Sequence, residues 1–182
     1  MADKWDDVEV AMQPGVGTLQ EALNRAPDGS ELVLADGTYR GSGSHLLTIT
    51  KSITIRAEHP GRAVLDGEEA RCVVRISKHK RRRVVLDGLK VTRGKGQKNG
   101  NGQGGGIFQT GGMLTLNNCE LCDNKANEKN AQGGAVFALG GATLVVSNCR
   151  IHSNVVHNGR YNQGAGIWLM DSALTRCGST LH

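Results

Sequence analysis

The sequence predicts an all-β fold: a right-handed, single-stranded parallel β-helix of about six to seven rungs, with a short N-terminal capping α-helix. Three observations predict it. A motif recurs about every 30 residues, and the apolar residues inside each repeat alternate with polar ones, as they do in strands. The 182 residues also include 26 glycines, while only 3% are aromatic. This composition indicates many tight turns around a thin aliphatic core.

The repeat is marked by three similar openings, QGGGIF at 103–108, QGGAVF at 132–137 and QGAGIW at 163–168. Their glutamines are 132 − 103 = 29 and 163 − 132 = 31 residues apart. Short strands at a fixed period cannot bury an apolar face alone. They bury it when each repeat stacks on the next, which predicts a solenoid.

Within one repeat, the alternation predicts which side chains point inward. Leu114, Leu116, Cys119 and Leu121 face the core if Asn117-Asn118 makes a bend between two short strands. The polar residues between them then face solvent or form the corner. This interpretation gives each rung several short strands rather than one long one.

The cysteines follow the same period. Cys119 and Cys149 are 149 − 119 = 30 residues apart and Cys177 follows 177 − 149 = 28 further on, so we expect the three to stack, reduced, in one interior column. Cys119 and Cys122 form one lone C-x-x-C pair without a second pair at zinc-like spacing. The sequence therefore predicts no metal site and no cofactor.

We expect residues 1–182 to form a single domain, with a polar tail at 1–16, the capping helix at 17–28 and rungs over 29–182. Thr18 and Glu21 have the spacing of a capping box, and Pro27 stops the helix. No capping element follows the last apolar rung, so the C-terminal cap is predicted to be missing. An uncapped rung exposes apolar surface, which predicts contact with a protein partner or self-association through this end.

Two stretches resemble known solenoids. The segments GTLQEAL at 17–23 and GSELVLADGTY at 29–39 resemble the start of pectin-lyase-like right-handed β-helices. The later rungs resemble the GGA[I/V] repeats of polymorphic outer-membrane-type proteins. The resemblance implies a β-helix over about residues 17–177. It leaves function open, because such solenoids include polysaccharide lyases, hydrolases, adhesins and inert scaffolds.

The catalytic candidates are limited to Asp66 and Asp87. Both occur in Leu-Asp-Gly and they are 87 − 66 = 21 residues apart, about one short rung, so they could stack as a carboxylate pair. The alternative is two Asp-Gly turns that serve only backbone geometry. The Gly-His-Gly expected of galacturonan hydrolases is absent from the sequence.

Three polar loops, at 94–103, 125–132 and 156–163, precede the glycine-rich openings. Insertions at the same phase of a solenoid project from one face, so these loops predict a shared binding surface for a glycan or another anionic ligand. The alternative is that stacked amides only stabilise the corner. The candidate binding residues are Asn101, Gln103, Lys129, Asn130, Gln132, Arg160, Tyr161 and Gln163.

A basic run lies between two apolar strands, and the formal net charge of the chain is +5. As a polyanion-binding site it would use Lys78, Lys80, Arg81, Arg82 and Arg83. The alternative is a solvated loop. No aromatic residues are interleaved for stacking on bases, so nucleic acid is not an expected partner.

Together these observations favour a non-catalytic β-solenoid that binds or scaffolds, through its stacked polar loops or its C-terminal end. The alternative is a polysaccharide-active enzyme, a lyase or hydrolase, or a fragment of one. No apolar stretch is long enough to span a membrane, so no membrane insertion is expected. The N-terminus is unlike a secretory signal, which leaves an intracellular chain or one lacking its targeting segment, and the compartment unknown.

Overall fold

The computed structural model of the protein describes residues 11–77, 81–96, 104–127, 131–157 and 164–181. In chain order, the elements are β1 (Ala11–Met12), α1 (Thr18–Arg25), β2 (Glu31–Leu34), β3 (Gly37–Arg40), β4 (His45–Ile49), β5 (Ile53–Ala57), β6 (Ala63–Asp66), β7 (Cys72–Ile76), β8 (Arg83–Asp87), β9 (Leu89–Thr92), β10 (Ile107–Thr110), β11 (Met113–Asn117), β12 (Glu120–Cys122), β13 (Lys125–Ala126), β14 (Val136–Leu139), β15 (Thr143–Ser147), β16 (Arg150–His152), β17 (Val155–Val156), β18 (Ile167–Met170), β19 (Ala173–Cys177) and β20 (Thr180–Leu181).

Three parallel sheets form the walls of a coil. In the described residues the first sheet has the order β1-β2-β5-β8-β11-β15-β19, the second β3-β6-β9-β12-β16-β20 and the third β4-β7-β10-β14-β18. Successive strands of one chain turn belong to different sheets, so the chain winds as a solenoid. The predicted fold class, an all-β parallel β-helix with one short helix, is confirmed.

The predicted number of rungs was too high, because the coil makes about four turns rather than six to seven. The third sheet has five strands, and one turn of the coil separates each strand from the next, which gives four turns. Counting strand-like runs along the sequence overestimates the number, because the two-residue β1 adds a strand to the first sheet and the last turn adds strands only to the first and second.

The 30-residue period corresponds to one turn of the coil. Val85 pairs with Thr115, and Thr115 pairs with Val145 one turn later, all in the first sheet. The opening turn is shorter, since Glu31 pairs with Thr54. Residues at the same phase of the repeat therefore lie above one another, about 4.8 Å apart as in any sheet.

The inward positions form one aliphatic core along the coil. Leu114, Leu116, Cys119 and Leu121 are all buried and belong to the core cluster, as predicted. The bend between the first and second sheets is made by Asn118, whose φ of 51° lies in the left-handed region that asparagine tolerates best after glycine. Full burial of each leucine contributes about 1.5–3 kcal/mol.

The N-terminal helix α1 closes one end of the coil with Leu19 and Leu23, which are buried in the core cluster. The predicted capping box is wrong: Gly17 is the N-cap, and the Thr18 hydroxyl is buried without a hydrogen-bond partner. The predicted tail also contains β1, which pairs with β2. Within the described residues, no helix is long and apolar enough to cross a membrane.

The cysteine column contains two of its three predicted members. Cys119 and Cys149 are buried one above the other, and the Cys119 N–H lies 3.4 Å from the Cys149 Sγ. Cys177 is exposed and pairs with Ser147, so its place in the column was wrong. An offset of 28 rather than 30 residues moves Cys177 two positions out of phase, and Ser179 lies next to Cys149 instead.

A second column of polar side chains lies at the corner that follows the second sheet. The Asn124 side chain, fully buried, donates to the Val91 carbonyl (3.1 Å) and accepts from the Gly94 N–H (2.8 Å). It also donates to the Asn154 side chain one turn later, at 3.0 Å. These bonds satisfy backbone groups that the corner removes from the sheets.

The last described rung is open to solvent. All five residues of β19 are exposed, and Leu174 and Met170 have relative exposures of 40% and 45%. By contrast, the equivalent position on β15, Leu144, is fully buried beneath it. The apolar position that is buried on β15 is therefore exposed to solvent on β19.

Candidate functional site

The three predicted loops leave and rejoin the coil at one corner, between the second and third sheets. On the leaving side, Lys95 forms a bridge with Lys125, and β13 pairs with β17. On the returning side, the Gly104 N–H donates to the Gln132 carbonyl at 3.1 Å, and the Gly134 N–H donates to that of Gly164 at 3.3 Å. Both ends of consecutive loops are therefore stacked in register.

Of the eight predicted loop residues, Gln132 is described, and it is half-buried at the returning end of its loop. The other seven, Asn101, Gln103, Lys129, Asn130, Arg160, Tyr161 and Gln163, lie outside the described residues. The predicted ladder of amides and cations stays a prediction. The anchoring of the loop ends is the part that the structure describes.

Close backbone packing explains the glycines of the returning segments. A Cβ on Gly134 would lie 2.4 Å from the Ala165 carbonyl oxygen of the next turn, so no side chain fits there. Gly133 has a φ of 64°, and a Cβ there would lie 2.9 Å from the Cα of Phe137. The backbone of this returning segment therefore packs closely against the start of its own strand and against the next turn.

An outward column of aromatic residues runs along the third sheet beside these loop ends. Phe108 pairs with Phe137, and Phe137 pairs with Trp168 one turn later. The two phenylalanine rings stack with centroids 5.6 Å apart and planes inclined by 22°. Their neighbours Ile107 and Val136 are in the core cluster, so strand alternation directs the aromatic rings to the opposite face of the sheet. On that face Phe108 and Trp168 are half-buried and Phe137 is fully buried.

This column was missed in the sequence, although the signal was present: each of the three repeat openings ends in an aromatic residue. The chain has six aromatic residues in total, and three of them occupy this one column. Half of the aromatic residues of this aromatic-poor chain therefore lie at one position of the third sheet.

A cation extends the column by one turn. Arg75 pairs with Phe108, and its guanidinium carbon lies 5.8 Å from the centre of the Phe108 ring. Arg75 is exposed and forms no ion pair among the described residues. Below it, Thr48 continues the column. The column therefore combines aromatic edges with a positive charge that is available to an anionic group.

A polar hollow lies at the N-terminal end of the same sheet, between α1 and β4. Its lining includes Gln20, Asn24, Ser44 and His45. Burial lowers the pKa of His45, and the nearby charge of Arg75 lowers it further, so the imidazole is neutral at pH 7. Glu21 also lines the hollow, so its amide, hydroxyl and imidazole groups lie beside one negative charge.

The two aspartate candidates do not meet. Asp66 lies on the second sheet, where it pairs with Thr92, whereas Asp87 lies on the first sheet and pairs with Asn117. Their positions are 21 residues apart because the chain runs from the second sheet through the third sheet to the first between them. This path is shorter than a full turn of the coil. The idea that they stack as a pair was therefore wrong.

Asp66 is held by its neighbours. Its carboxylate accepts from Arg93 Nε at 2.9 Å and from the Glu68 N–H at 2.8 Å, and Arg40 lies 3.9 Å away. Burial acts to raise the pKa of Asp66, but the hydrogen bonds from Arg93 and Glu68 lower it overall. A carboxylate with these partners stabilises its corner and is not arranged as a general acid or base.

The basic run is partly described. Lys78 and Lys80 lie outside the described residues, while Arg81 and Arg83 are exposed. The Arg82 guanidinium donates to the Ser77 carbonyl, so it joins the residue after β7 to the residue before β8. Arg81 and Arg82 also line a shallow hollow with Lys51 and Asp28. One of the five basic residues therefore supports the backbone of the loop.

Among the described residues, one group of side chains has the composition of a metal site. It consists of Glu120, Cys122 and His152, whose ligand atoms all lie within 4.8 Å of one another. The group lies on the second sheet, away from the aromatic column. No repeated C-x-x-C pattern marks it in the sequence, because its members belong to two different turns.

Comparisons with known proteins do not assign this chain to a family. No protein-family model, no curated protein and no solved structure matches it significantly. The resemblance to pectin-lyase-like proteins and to GGA[I/V] repeats is therefore not confirmed by any match, whereas the parallel β-solenoid itself is shown.

Proposed function

We propose that the protein is a non-catalytic β-solenoid that binds an anionic, hydroxyl-rich glycan along the outer face of its third sheet. The observation that carries the proposal is the coincidence of two features on one sheet edge. Three loops are anchored there on consecutive turns, and the column of Arg75, Phe108, Phe137 and Trp168 runs beside them.

The chemistry of this face suits a sugar acid. Carbohydrate sites combine apolar or aromatic surface with a few well-placed polar groups. The half-buried Phe108 and Trp168 supply aromatic edges, and Phe108 lies beside the Arg75 guanidinium. Arginine binds carboxylate and sulfate groups through charge-assisted hydrogen bonds. The predicted amides and cations of the loops, including Asn130 and Arg160, would add donors for hydroxyl groups.

The repeat also suits a repeating ligand. Successive turns place equivalent positions about 4.8 Å apart. The members of the column that a ligand can reach are the exposed Arg75 and the half-buried Phe108 and Trp168, because Phe137 between the two aromatic residues is fully buried. Because Phe137 is fully buried and stacked against Phe108, the column is rigid before any ligand arrives. A preorganised surface loses little entropy on binding, which favours affinity.

Contact through the last rung is a second proposal, and it rests on a different observation. Leu174 and Met170 are exposed at positions that are buried or half-buried one turn earlier. We propose that a second copy of the chain covers this rung, because α1 already covers the opposite end of the coil. Self-association would then pair two C-terminal rungs.

Polysaccharide cleavage is the alternative to simple binding. Its best candidates, Asp66 and Asp87, lie on different sheets, and Asp66 is bound to arginine. No pair of carboxylates converges on the aromatic column within the described part of the chain. The geometry therefore supports binding more than catalysis.

The proposal is tested by an array of neutral, uronic-acid and sulfated oligosaccharides, followed by calorimetry on the best binder. We expect Arg75→Gln to weaken binding of that oligosaccharide at least 10-fold, because loss of a charge-assisted hydrogen bond costs about 1.5–3 kcal/mol. The matched control is Arg150→Gln, which removes the same charge from the exposed outer face of the second sheet.

Binding that is equally weakened by both variants would show general charge attraction and would contradict a site on the third sheet. Absence of any bound glycan would contradict the proposal as a whole. Prolonged incubation of the bound oligosaccharide with the protein should release no shorter products. Release of products would establish the enzyme instead.

A further inference from the structure

The outer face of the second sheet carries a cluster of three different metal-ligand types. Glu120 and Cys122 lie two residues apart on β12, so strand alternation points both side chains the same way. His152 on β16 pairs with Cys122 across the sheet. We propose that these three residues bind a divalent transition-metal ion, Zn²⁺, on this face.

The distances fit such an ion. The ligand atoms of the three side chains lie within 4.8 Å of one another, and His152 Nε2 is 2.9 Å from Glu120 Oε1. A tetrahedral Zn²⁺ at about 2.0–2.3 Å from each ligand separates them by roughly 3.3–3.7 Å. Small side-chain movements accommodate the ion, and the backbone register stays as it is.

The donor set selects the class of metal. A thiolate and an imidazole favour Zn²⁺ and similar transition metals, whereas Mg²⁺ and Ca²⁺ prefer oxygen ligands alone. Cys122 is almost completely buried, with 1% exposure, while the Glu120 and His152 side chains are 29% and 24% exposed. The ion would therefore sit on the sheet surface, with a fourth position open to water.

Neighbouring residues already orient two of the ligands. The other ring nitrogen of His152, Nδ1, lies 3.1 Å from the Ser153 hydroxyl, which leaves Nε2 directed at the site. The second carboxylate oxygen of Glu120 lies 3.1 Å from Lys90 Nζ. Such outer hydrogen bonds are typical of metal sites, where they fix the geometry of the ligands.

A thiol nucleophile is the competing interpretation of the same residues, and the contacts favour it less. The two nitrogens of His152 are directed at Glu120 and Ser153, while the Cys122 thiol lies 3.5 Å from the Thr92 hydroxyl. An activated cysteine needs a base at its sulfur, whereas the contacts of both His152 ring nitrogens are with other groups.

A surface ion pair with a cysteine beside it is the other explanation, and metal titration separates the two. The reduced full chain is titrated with Zn²⁺ in competition with a chromophoric chelator, and separately with Co²⁺. We expect one ion per chain and, for Co²⁺, a thiolate-to-metal charge-transfer band. Cys122→Ser should abolish this band, and His152→Gln should weaken Zn²⁺ binding at least 100-fold.

Cys177→Ser is the control, because it removes the exposed cysteine of β19 and leaves the cluster intact. This variant should leave the Zn²⁺ affinity and the Co²⁺ charge-transfer band unchanged. His152→Gln changes a partly exposed side chain, so its circular dichroism spectrum should match that of the parent. Absence of tight binding, or binding lost with Cys177→Ser and kept with His152→Gln, would overturn the proposal. This outcome is independent of glycan binding.

Discussion

The buried asparagine at the corner after the second sheet provides a sharp test of how the rungs are held together. Asn124→Ala removes the acceptor for the Gly94 N–H and the donor to the Val91 carbonyl. Both groups are at buried residues, and water reaches this corner poorly because Asn124 is itself fully buried. The substitution also removes the hydrogen bond to Asn154 in the next turn.

The magnitude follows from these contacts. A buried polar group left without a partner costs about 1–3 kcal/mol, so two such groups cost about 2–6 kcal/mol. This is a large part of the 5–15 kcal/mol that typically stabilises a domain. With a urea dependence of about 2 kcal/mol/M, a loss of 3 kcal/mol lowers the midpoint of unfolding by about 1.5 M.

The assay is urea unfolding monitored by circular dichroism, with Asn117→Ala as the matched control. Asn117 is half-buried at the end of β11, and its side chain makes no hydrogen bond among the described residues. The control should therefore change stability by less than about 0.5 kcal/mol. If the two variants unfold at the same urea concentration, the asparagine column does not stabilise the coil and this reasoning is refuted.

Three other predictions concern the cysteines, the arginine-bound aspartate and the last rung. A thiol reagent should label the exposed Cys177 rapidly and reach Cys119 only on unfolding, and fast labelling of both in native protein would contradict the interior column. The pKa of Asp66 is lower in the folded protein than its ordinary value of 3.8. Its ion pair with Arg93 therefore stabilises the fold fully above pH 3.8, and this contribution is lost as the pH falls through the lower pKa of the folded state. Asp66→Asn should accordingly flatten the dependence of stability on pH in this acid range, and an unchanged pH profile would show that the pair contributes nothing. Leu174→Lys should abolish concentration-dependent self-association in sedimentation without unfolding the coil, whereas a wild-type chain that stays monomeric at high concentration would contradict the contact.

The fold was largely predictable because its signal is repeated. Three copies of one pattern, each with apolar alternation, indicated stacked strands, and inward positions such as Leu114 and Leu121 were identified correctly. The first turns were harder to count, because they lack the glycine-rich opening and the first of them is shorter than the later period, as the pairing of Glu31 with Thr54 shows. Cys177 was placed in the wrong column because its 28-residue offset was treated as loop variation, whereas the first sheet pairs it with Ser147.

The site was less predictable, because it depends on register between turns rather than on any local motif. The aromatic column requires knowing that Phe108 and Phe137 lie outside the core while their neighbours lie inside. The pairing of Cys122 with His152 joins residues 30 apart through two strands of one sheet. Conversely, Asp66 and Asp87 share a sequence motif but occupy different sheets.

The central claim, that the loop-bearing edge of the third sheet binds an anionic glycan, is tested most directly by mapping where such a ligand contacts the chain. Backbone amide resonances would be followed during titration with a short oligogalacturonate and with a short heparin oligosaccharide. The account predicts shifts concentrated at residues 104–110, 131–137 and 164–168, and at Arg75. Shifts concentrated at Arg81 and Arg83, or no shifts with either oligosaccharide, would contradict it.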